Sequence, residues 1–215
     1  MPGLETVFSS VPQLLTACLV LAAAEAIYVM LGFGAGLIAV GALALLMPDL
    51  HDVVVLLLLV NLPAELWVVA SSRRLIAWRG VLVLFAGVAL GIPAGAWLLR
   101  AGRPDALLDA LGAFLVLAGV AFLAAPAPRR RSWPSWLGPP VGLLSGLLTG
   151  LFGTGGPPLV LYYQLGGTPK SEFRGQLMAI FLLMTLVRVP SYAGLGLITA
   201  PRLWSALLVM PAVLV

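Results

Sequence analysis

The feature that most constrains the fold is a run of 38 residues, Ser132 to Pro169, without a single charged side chain. A helix that crosses a bilayer needs about 20 apolar residues, so this run is too long for one span. Within it lies the cluster Gly153-Thr154-Gly155-Gly156, followed directly by Pro157-Pro158. Glycine and proline are the residues that most readily interrupt a helix. We therefore predict that a helix breaks at this cluster, at membrane depth.

A helix break inside a membrane restricts what surrounds it. Hydrocarbon cannot hydrogen-bond a freed backbone N–H or C=O, so such breaks occur where they line a cavity or pack inside protein. Carrier proteins use them to direct backbone N–H groups at an anion near the midplane. The break therefore favours a carrier over a membrane segment that serves only as an anchor.

The composition supports a multi-pass protein of the cell (inner) membrane. Hydrophobic residues make up 61% of the chain, charged residues 9%, and the mean hydropathy is +1.10, whereas soluble domains have about 25% charged residues. The net charge of +4 and the pI near 9.8 come mostly from short basic clusters between apolar runs. Such clusters orient spans, so we expect the lipid bilayer as a partner and no nucleic acid.

The scarce residue types exclude several chemistries. Cys18 is the only cysteine and His51 the only histidine, so neither an internal disulfide nor a cysteine or histidine metal site is expected. No GxxxxGK[ST] sequence occurs, and we expect no ATP hydrolysis by this chain. From these counts we expect no cofactor and no metal, and our prediction is a protein that is not an enzyme.

Two units of similar organisation are visible in the chain. A long apolar run, a glycine cluster, a short apolar run and a long run occur twice. Three residues of the first cluster recur at an offset of 119: Phe33, Gly34 and Gly36 correspond to Phe152, Gly153 and Gly155. We predict a first repeat over residues 1–126, a cytoplasmic linker over 127–139, and a second repeat over 140–215 that is incomplete at its C-terminus.

Positive charge predicts the orientation of these repeats. Three basic clusters are separated by apolar runs: Arg73, Arg74 and Arg79; Arg100 and Arg103; Arg129, Arg130 and Arg131. With the first and last clusters in the cytoplasm, the run 53–70 crosses inward and its counterpart 175–197 crosses outward. We therefore predict an all-α polytopic membrane protein of two inverted-topology repeats, with about seven to eight spans.

Four polar residues within the runs are candidates for function. Glu25 is a lone carboxyl group inside a span, where ionisable groups are expensive and usually functional; a structural hydrogen bond is the alternative. Asn61 and Glu65 share a helix face at positions i and i+4. Arg188 lies on the corresponding run of the second repeat, and its guanidinium suits an oxyanion. A structural ion pair between Glu65 and Arg188 stays open as an alternative.

Together these patterns predict one site for a small anionic substrate where the two breaks meet. Helix N-termini have a partial positive charge and free N–H groups. The predicted substrate-binding residues are Gly34, Ala35, Gly36, Asn61, Gly153, Thr154, Gly155, Gly156 and Arg188. The predicted coupling or gating residues are Glu25, Glu65, Arg174 and Gln176. Two other small-residue stripes, 87/91/95 and 142/146/150 with Ser145, are assigned to helix packing.

Several segments resemble the TauE/SafE family of sulfite and sulfonate exporters, also called the toluene sulfonate uptake permease family. The resemblance rests on Gly32-Phe33-Gly34-Ala35-Gly36 with the four residues after it, on Gly150 to Pro158, and on Phe173-Arg174. It implies a carrier with two inverted repeats and seven or eight spans that moves sulfite, sulfonates or related anions. Gly41 departs from the first motif, which often has proline there.

The resulting interpretation is a secondary transporter of small anions by alternating access, driven by an ion or proton gradient. Three alternatives stay open at this point: a passive anion channel, an accessory membrane subunit, and an intramembrane serine protease built on Gly142-Leu143-Leu144-Ser145-Gly146. The last needs a base near the serine, and His51 lies in a predicted outer loop. The sequence leaves homo-oligomer formation open.

Overall fold

The computed structural model describes residues 6–47, 49–72, 76–124 and 134–213. Every regular element in these ranges is helical: α1 Val11–Leu31, α2 Ala35–Leu46, α3 Leu50–Ser72, α4 Trp78–Ala101, α5 Pro104–Ala124, a 3-10 turn Ser135–Leu137, α6 Gly138–Phe152, α7 Gly156–Leu165, α8 Lys170–Gly194 and α9 Ala200–Val213. Arg73, Arg74, Arg129 to Arg131 and most of the predicted linker lie outside the described residues.

Five of the described helices, α1, α3, α4, α5 and α8, are long and apolar enough to cross a membrane. The shorter apolar helices α2, α6 and α9 have 12, 15 and 14 residues, and α7 has 10. The chain is therefore a multi-pass membrane protein. A total of seven to eight spans stays a prediction, because the glycine clusters divide the apolar sequence into pieces shorter than a bilayer is thick.

The first glycine cluster reverses the chain. Gly32 ends α1 in the left-handed conformation at φ 83°, and its N–H donates to the carbonyl oxygen of Tyr28 at 2.8 Å, which is the usual αL helix end. Gly34, at φ 104°, precedes α2. At the far end of the pair, the Gln13 side chain donates to the carbonyl oxygen of Leu46 at 2.8 Å. Helices α1 and α2 therefore form a hairpin with Gly32 to Gly34 at its tip.

The second cluster repeats this geometry. Gly153 ends α6 at φ 76°, and its N–H donates to the carbonyl oxygen of Thr149 at 2.9 Å. The hydroxyl group of Ser145 then donates to the carbonyl oxygen of Gly155, just before α7 begins. The chain breaks at the predicted cluster and returns alongside α6.

The two turns correspond in a register that the sequence comparison missed. Gly32 and Gly153 both end a helix, Gly34 and Gly155 both precede one, and each pair is 121 positions apart. The predicted offset of 119 equated Gly34 with Gly153 because it matched Phe33 to Phe152. Helix α1 ends before Phe33, whereas α6 ends at Phe152, so these phenylalanines have different roles.

Helices α4 and α6 pack directly backbone to backbone. A Cβ atom on Gly91 would lie 2.3 Å from the carbonyl oxygen of Leu143, and one on Gly142 would lie 1.9 Å from that of Leu84. Gly87, Gly95, Gly146 and Gly150 are in comparable contacts with the opposite helix. The two stripes assigned to packing are therefore the two sides of one interface, which joins a helix of the predicted first repeat to one of the predicted second.

Helices α3 and α8 run in opposite directions across the protein. Glu65 late in α3 meets Thr185 of α8, whereas Val54 near the start of α3 accepts a hydrogen bond at 2.8 Å from Arg188, three residues further along α8. These helices are the long runs that follow the short one in each predicted repeat. Their middle portions enclose the space at the hairpin tips.

Candidate functional site

A cavity of about 40 Å³ lies between the two hairpin tips and the middle of α3 and α8. Because a buried water needs about 10–15 Å³ of such space, the cavity has room for only a few atoms. Its walls include eight of the nine predicted substrate-binding residues, and Ala35 is the exception. The complete wall is Tyr28, Gly34, Gly36, Leu58, Asn61, Glu65, Thr149, Gly153, Thr154, Gly155, Gly156, Phe181, Met184, Thr185 and Arg188.

The two hairpin tips touch each other beside this cavity. A Cβ atom on Gly36 would lie 2.9 Å from Cβ of Thr154 and 3.2 Å from the carbonyl oxygen of Gly153. Contacts shorter than 3.0 Å are not tolerated between such atoms, so a side chain at position 36 would push the tips apart. Glycine is needed here because the two backbones approach each other this closely.

The tips present backbone donors to the cavity. In the described part of the chain, the N–H groups of Gly36, Thr154 and Gly156 have no hydrogen-bond partner. Gly36 and Gly156 belong to the first turns of α2 and α7, where N–H groups lack partners within the helix, and Thr154 lies two residues before α7. The Thr154 hydroxyl group also faces the cavity without a partner among the described residues. Three backbone N–H groups and one hydroxyl group are therefore available to donate hydrogen bonds to an acceptor in the cavity.

Arg188 brings the positive charge. Its side chain is 4% exposed, and one terminal nitrogen donates to the carbonyl oxygen of Val54 at 2.8 Å. The guanidinium carbon lies 4.9 Å from the ring centre of Tyr192, which positions it by a cation–π contact. The Nε atom is buried without a partner among the described residues. The guanidinium group is therefore fixed in position, and its remaining N–H groups are available to donate hydrogen bonds to a ligand in the cavity.

Glu65 does not form an ion pair with Arg188. Its Oε1 accepts a hydrogen bond from the Tyr28 hydroxyl at 3.0 Å, and its Oε2 accepts one from the Thr185 hydroxyl at 2.7 Å. The salt bridges among the described residues do not include this pair. Thr185 precedes Arg188 by almost one helical turn, so Glu65 meets α8 at a different level from the guanidinium. The alternative of a structural ion pair is therefore wrong, and Glu65 holds α1, α3 and α8 together through hydroxyl groups.

Glu25 lies behind the cavity wall rather than in it. The amide nitrogen of Asn61 faces Oε2 of Glu25 at 3.0 Å and the carbonyl oxygen of Leu57 at 3.2 Å; this orientation of the amide is the one its hydrogen-bonding surroundings require. The other carboxyl oxygen, Oε1, is buried and has no partner among the described residues. Asn61 therefore contacts the cavity and Glu25 at the same time.

The remaining predicted residues lie outside the cavity. Arg174 is exposed. A Cβ atom added to Gly32 would lie 3.1 Å from both Cα and Cγ of Arg174. Gln176 is buried and donates to Glu172 at 3.1 Å, one turn earlier in α8. Ala35 is the first residue of α2. The structure therefore places Arg174 and Gln176 near the start of α8, away from Arg188.

Sequence reasoning missed several wall residues, chiefly Tyr28, Thr149, Phe181, Met184 and Thr185. Two of them were within reach of the same helical argument that selected their neighbours. Tyr28 is three residues after Glu25, and Thr185 is three residues before Arg188, so each shares a face with a residue that was singled out. Phe181 and Met184 are indistinguishable in the sequence from ordinary apolar residues.

Ser145 has a structural role. It is fully buried and donates to the Gly155 carbonyl oxygen, while His51 is engaged with Asp49 at 2.6 Å and with the carbonyl oxygen of Leu99 at 3.0 Å. A serine protease needs its base within hydrogen-bond reach of the nucleophile. These two residues do not form such a pair, and the geometry gives no support to that alternative.

A comparison with known families decides which group of proteins this arrangement belongs to. The family profile described as "Sulfite exporter TauE/SafE" matches residues 17–215. The chain belongs to the TauE/SafE family. It is also similar to the "Probable sulfite/organosulfonate exporter TauE" of Cupriavidus necator, with 26% identity over 188 residues, 86% of this chain and 73% of the relative. No solved structure matches the chain. TauE/SafE proteins are exporters rather than enzymes, and this chain is accordingly a membrane transport protein.

Proposed function

We propose that this protein is a secondary transporter of the inner membrane that moves sulfite or small organosulfonates by alternating access. The observation that carries the proposal is the meeting of two helical hairpin tips at one small cavity beside a buried arginine. Helix N-termini bind anions through free N–H groups and a partial positive charge of about half an elementary charge. The printed name of the C. necator relative supports the substrate class.

In this proposal the anion's oxygen atoms accept hydrogen bonds from the N–H groups of Gly36, Thr154 and Gly156. Arg188 contributes a charge-assisted hydrogen bond, which is stronger than a neutral one. The Asn61 side chain lines the cavity from α3 while its amide nitrogen is engaged by Glu25 and Leu57, and Gly34 lines the cavity at the tip of the first hairpin. A cavity of about 40 Å³ favours a sulfonate head group or sulfite over an aromatic ring.

Alternating access follows from the two-part construction of the site. One hairpin tip belongs to each predicted repeat, and the antiparallel pair α3 and α8 supports the inverted relation between them. Carriers of this architecture expose a fixed central site first to one side and then to the other. We propose that the contact between Gly36 and Thr154 changes during this motion.

Counterflow in proteoliposomes tests the function. Vesicles preloaded with unlabelled sulfite should accumulate external radiolabelled sulfite transiently, because a carrier exchanges one anion for another. Arg188→Gln should reduce this exchange at least about tenfold, since a lost charged hydrogen bond is worth about 1.5–3 kcal/mol. Arg100→Gln is the matched control, because Arg100 is exposed at the end of α4.

Two results would contradict the proposal. A parent protein that conducts sulfite without any acceleration by internal sulfite is a passive channel rather than a carrier. Equal exchange rates in Arg188→Gln and Arg100→Gln, at equal amounts of folded protein in the vesicles, would remove the cavity from the transport route.

A further inference from the structure

Two buried carboxyl groups flank the proposed anion site, and their surroundings differ. Glu65 and Glu25 are each 4% exposed. Both oxygens of Glu65 accept a hydrogen bond from a hydroxyl group. Only one oxygen of Glu25 has a donor, the Asn61 amide, and its Oε1 is buried without a partner among the described residues. Hydrogen bonds to both oxygens stabilise an ionised carboxylate, so the negative charge belongs on Glu65.

The charged groups near Glu25 can be traced element by element. On its own helix α1 the titratable side chains are Cys18 and Tyr28; α3 faces it with Glu65, and α8 brings Arg188 to the same region. Helix α2 has no charged residue, and Arg202, the one charged residue of α9, is bound to Asp52. The charges of Glu65 and Arg188 balance each other. Within the described part of the chain, an ionised Glu25 would therefore have no further cation to balance it.

An anion in the cavity and an ionised Glu25 would both contact Asn61. Its side chain lines the cavity and lies 3.0 Å from Glu25. Two negative charges on either side of this amide repel each other more strongly inside the protein than they would in water. The site is therefore arranged so that an anion and an ionised Glu25 exclude each other.

Resting on the proposed transport function, we infer that Glu25 is the coupling site for a proton, and that Asn61 links it to the anion so that one proton enters with each monoanion. The proton binds a carboxylate oxygen of Glu25 when the anion arrives and leaves to water when the anion departs. Glu65 keeps its hydrogen bonds from Tyr28 and Thr185 and takes no part in the proton transfer. Asn61 is the positioning residue between the two sites.

Methanesulfonate is the appropriate probe, because it is a monoanion at every pH of interest and cannot bring its own proton. Counterflow is measured with methanesulfonate at a saturating concentration inside the vesicles and a subsaturating concentration outside. The exchange rate of the parent should fall as pH rises. At pH values above the pKa of a single carboxyl group, its protonated fraction decreases about tenfold per pH unit. Glu25→Gln, which resembles the protonated form, should exchange methanesulfonate at a rate that varies less than about twofold between pH 6 and 9.

Proton movement gives an independent readout. Vesicles containing a pH-sensitive dye should show internal acidification when the parent takes up methanesulfonate, and none when Glu25→Gln does. Glu65→Gln is the matched comparison: it removes the other buried carboxyl group and should keep the proton movement and the slope of the pH profile while weakening binding.

The outcomes separate the inference from the function on which it rests. No counterflow of either sulfite or methanesulfonate by folded parent protein contradicts the transport function. Counterflow by Glu25→Gln with the parent's pH profile, or with acidification, overturns the role of Glu25 alone. If Glu25→Gln does not fold, Asn61→Ala replaces it: a flattened pH profile supports the link, and a profile identical to that of the parent overturns it.

Discussion

The hydroxyl group of Thr185 lies 2.7 Å from Oε2 of Glu65 and joins α8 to α3 at the wall of the cavity. Glu65 also receives the Tyr28 hydroxyl, so one carboxylate connects three helices. This junction lies where the two predicted repeats meet. It is therefore a sensitive position for stability.

Thr185→Val should lower stability, because it keeps the shape of the side chain and removes a donor from a buried carboxylate. The expected loss is about 1–3 kcal/mol, measured as a lower midpoint of thermal unfolding in detergent. Ser191→Ala, on the same helix, is the control, since the Ser191 hydroxyl only returns to the carbonyl oxygen of Val187. Equal losses in the two variants would show that the Glu65 junction contributes no particular stability.

Two adjacent glycines should respond differently to an added methyl group. A Cβ atom on Gly155 would lie 2.1 Å from the backbone oxygen of Ser145, whereas one on Gly156 would lie 3.6 Å from Cζ of Phe181. Gly155→Ala should therefore destabilise the protein by about 1–3 kcal/mol. Gly156→Ala should fold normally and weaken sulfite binding, because the methyl group narrows the cavity.

Thermal unfolding and binding of labelled sulfite to the purified protein distinguish these effects. Normal stability of Gly155→Ala would contradict the packing of α7 on α6. Unchanged affinity in Gly156→Ala would indicate that the anion does not approach this hairpin tip. For the same reason, Gly155→Val cannot separate an effect on binding from an effect on folding.

The interface between α4 and α6 should not accept side chains. Gly91→Val would place Cβ 2.3 Å from the carbonyl oxygen of Leu143, while nothing lies within 4 Å of the corresponding atom on Gly112 of α5. Overpacking of this kind usually costs about 1–3 kcal/mol, occasionally more. We expect little folded Gly91→Val and normal amounts of Gly112→Val by size-exclusion chromatography. Comparable yields would contradict the close backbone approach.

Acid should weaken the contacts at the start of α3. Partial burial of Asp49 raises its pKa, but hydrogen bonds from His51 and the charges of His51 and Arg202 lower the pKa by more, and the net shift is downward from 3.8. A carboxyl group with a lowered pKa in the folded state stabilises the protein above its unfolded pKa, and this contribution is lost as pH falls through the folded value. The thermal midpoint of the parent should therefore decrease below about pH 4.

Asp49→Asn should remove part of that decrease, and Asp105→Asn, on the exposed first turn of α5, should not. The effect will be small, because the Asp49 side chain is 48% exposed and solvent screens its interactions. A parent and an Asp49→Asn variant with parallel pH profiles would show that the contact with His51 contributes nothing to stability.

The predicted orientation can be tested on the two arginines that flank α4. After Cys18→Ser, cysteines introduced as Arg79→Cys and Arg103→Cys should react with an impermeant thiol reagent from opposite sides of sealed vesicles, since the 24-residue α4 separates them. The basic cluster at Arg79 should be cytoplasmic. Labelling of both positions from the same side would be incompatible with α4 as a span.

The helix breaks and the residues at the cavity could be predicted for physical reasons. Glycine clusters followed by proline are visible at the level of single residues, and an isolated Asn, Glu or Arg in an apolar run has few structural uses. The family could also be recognised, because its motifs are these same glycine clusters. What the sequence indicated was therefore the position of each break and the family of the chain.

Other features depended on long-range geometry that no local pattern contains. Reversal of the chain at Gly34 is defined by a contact between Gln13 and Leu46, 33 residues apart. Arg188 donates its hydrogen bond to the backbone carbonyl oxygen of Val54. Because every residue has a backbone carbonyl oxygen, the sequence does not show which one is the acceptor. The complementarity of the two glycine stripes became visible only when α4 and α6 were placed side by side.

The backbone contact between α4 and α6 also limits how the protein can move. No side chains lie between the glycine surfaces of α4 and α6, so no side-chain rearrangement could accommodate sliding of one helix along the other. This helix pair should therefore move as a rigid unit and stay in place during transport. The displacement that the proposed alternating access requires then falls to the α1–α2 hairpin, to α7, and to α3 and α8. A cross-link between α4 and α6 should consequently leave turnover intact, whereas one between the hairpin tips should arrest it.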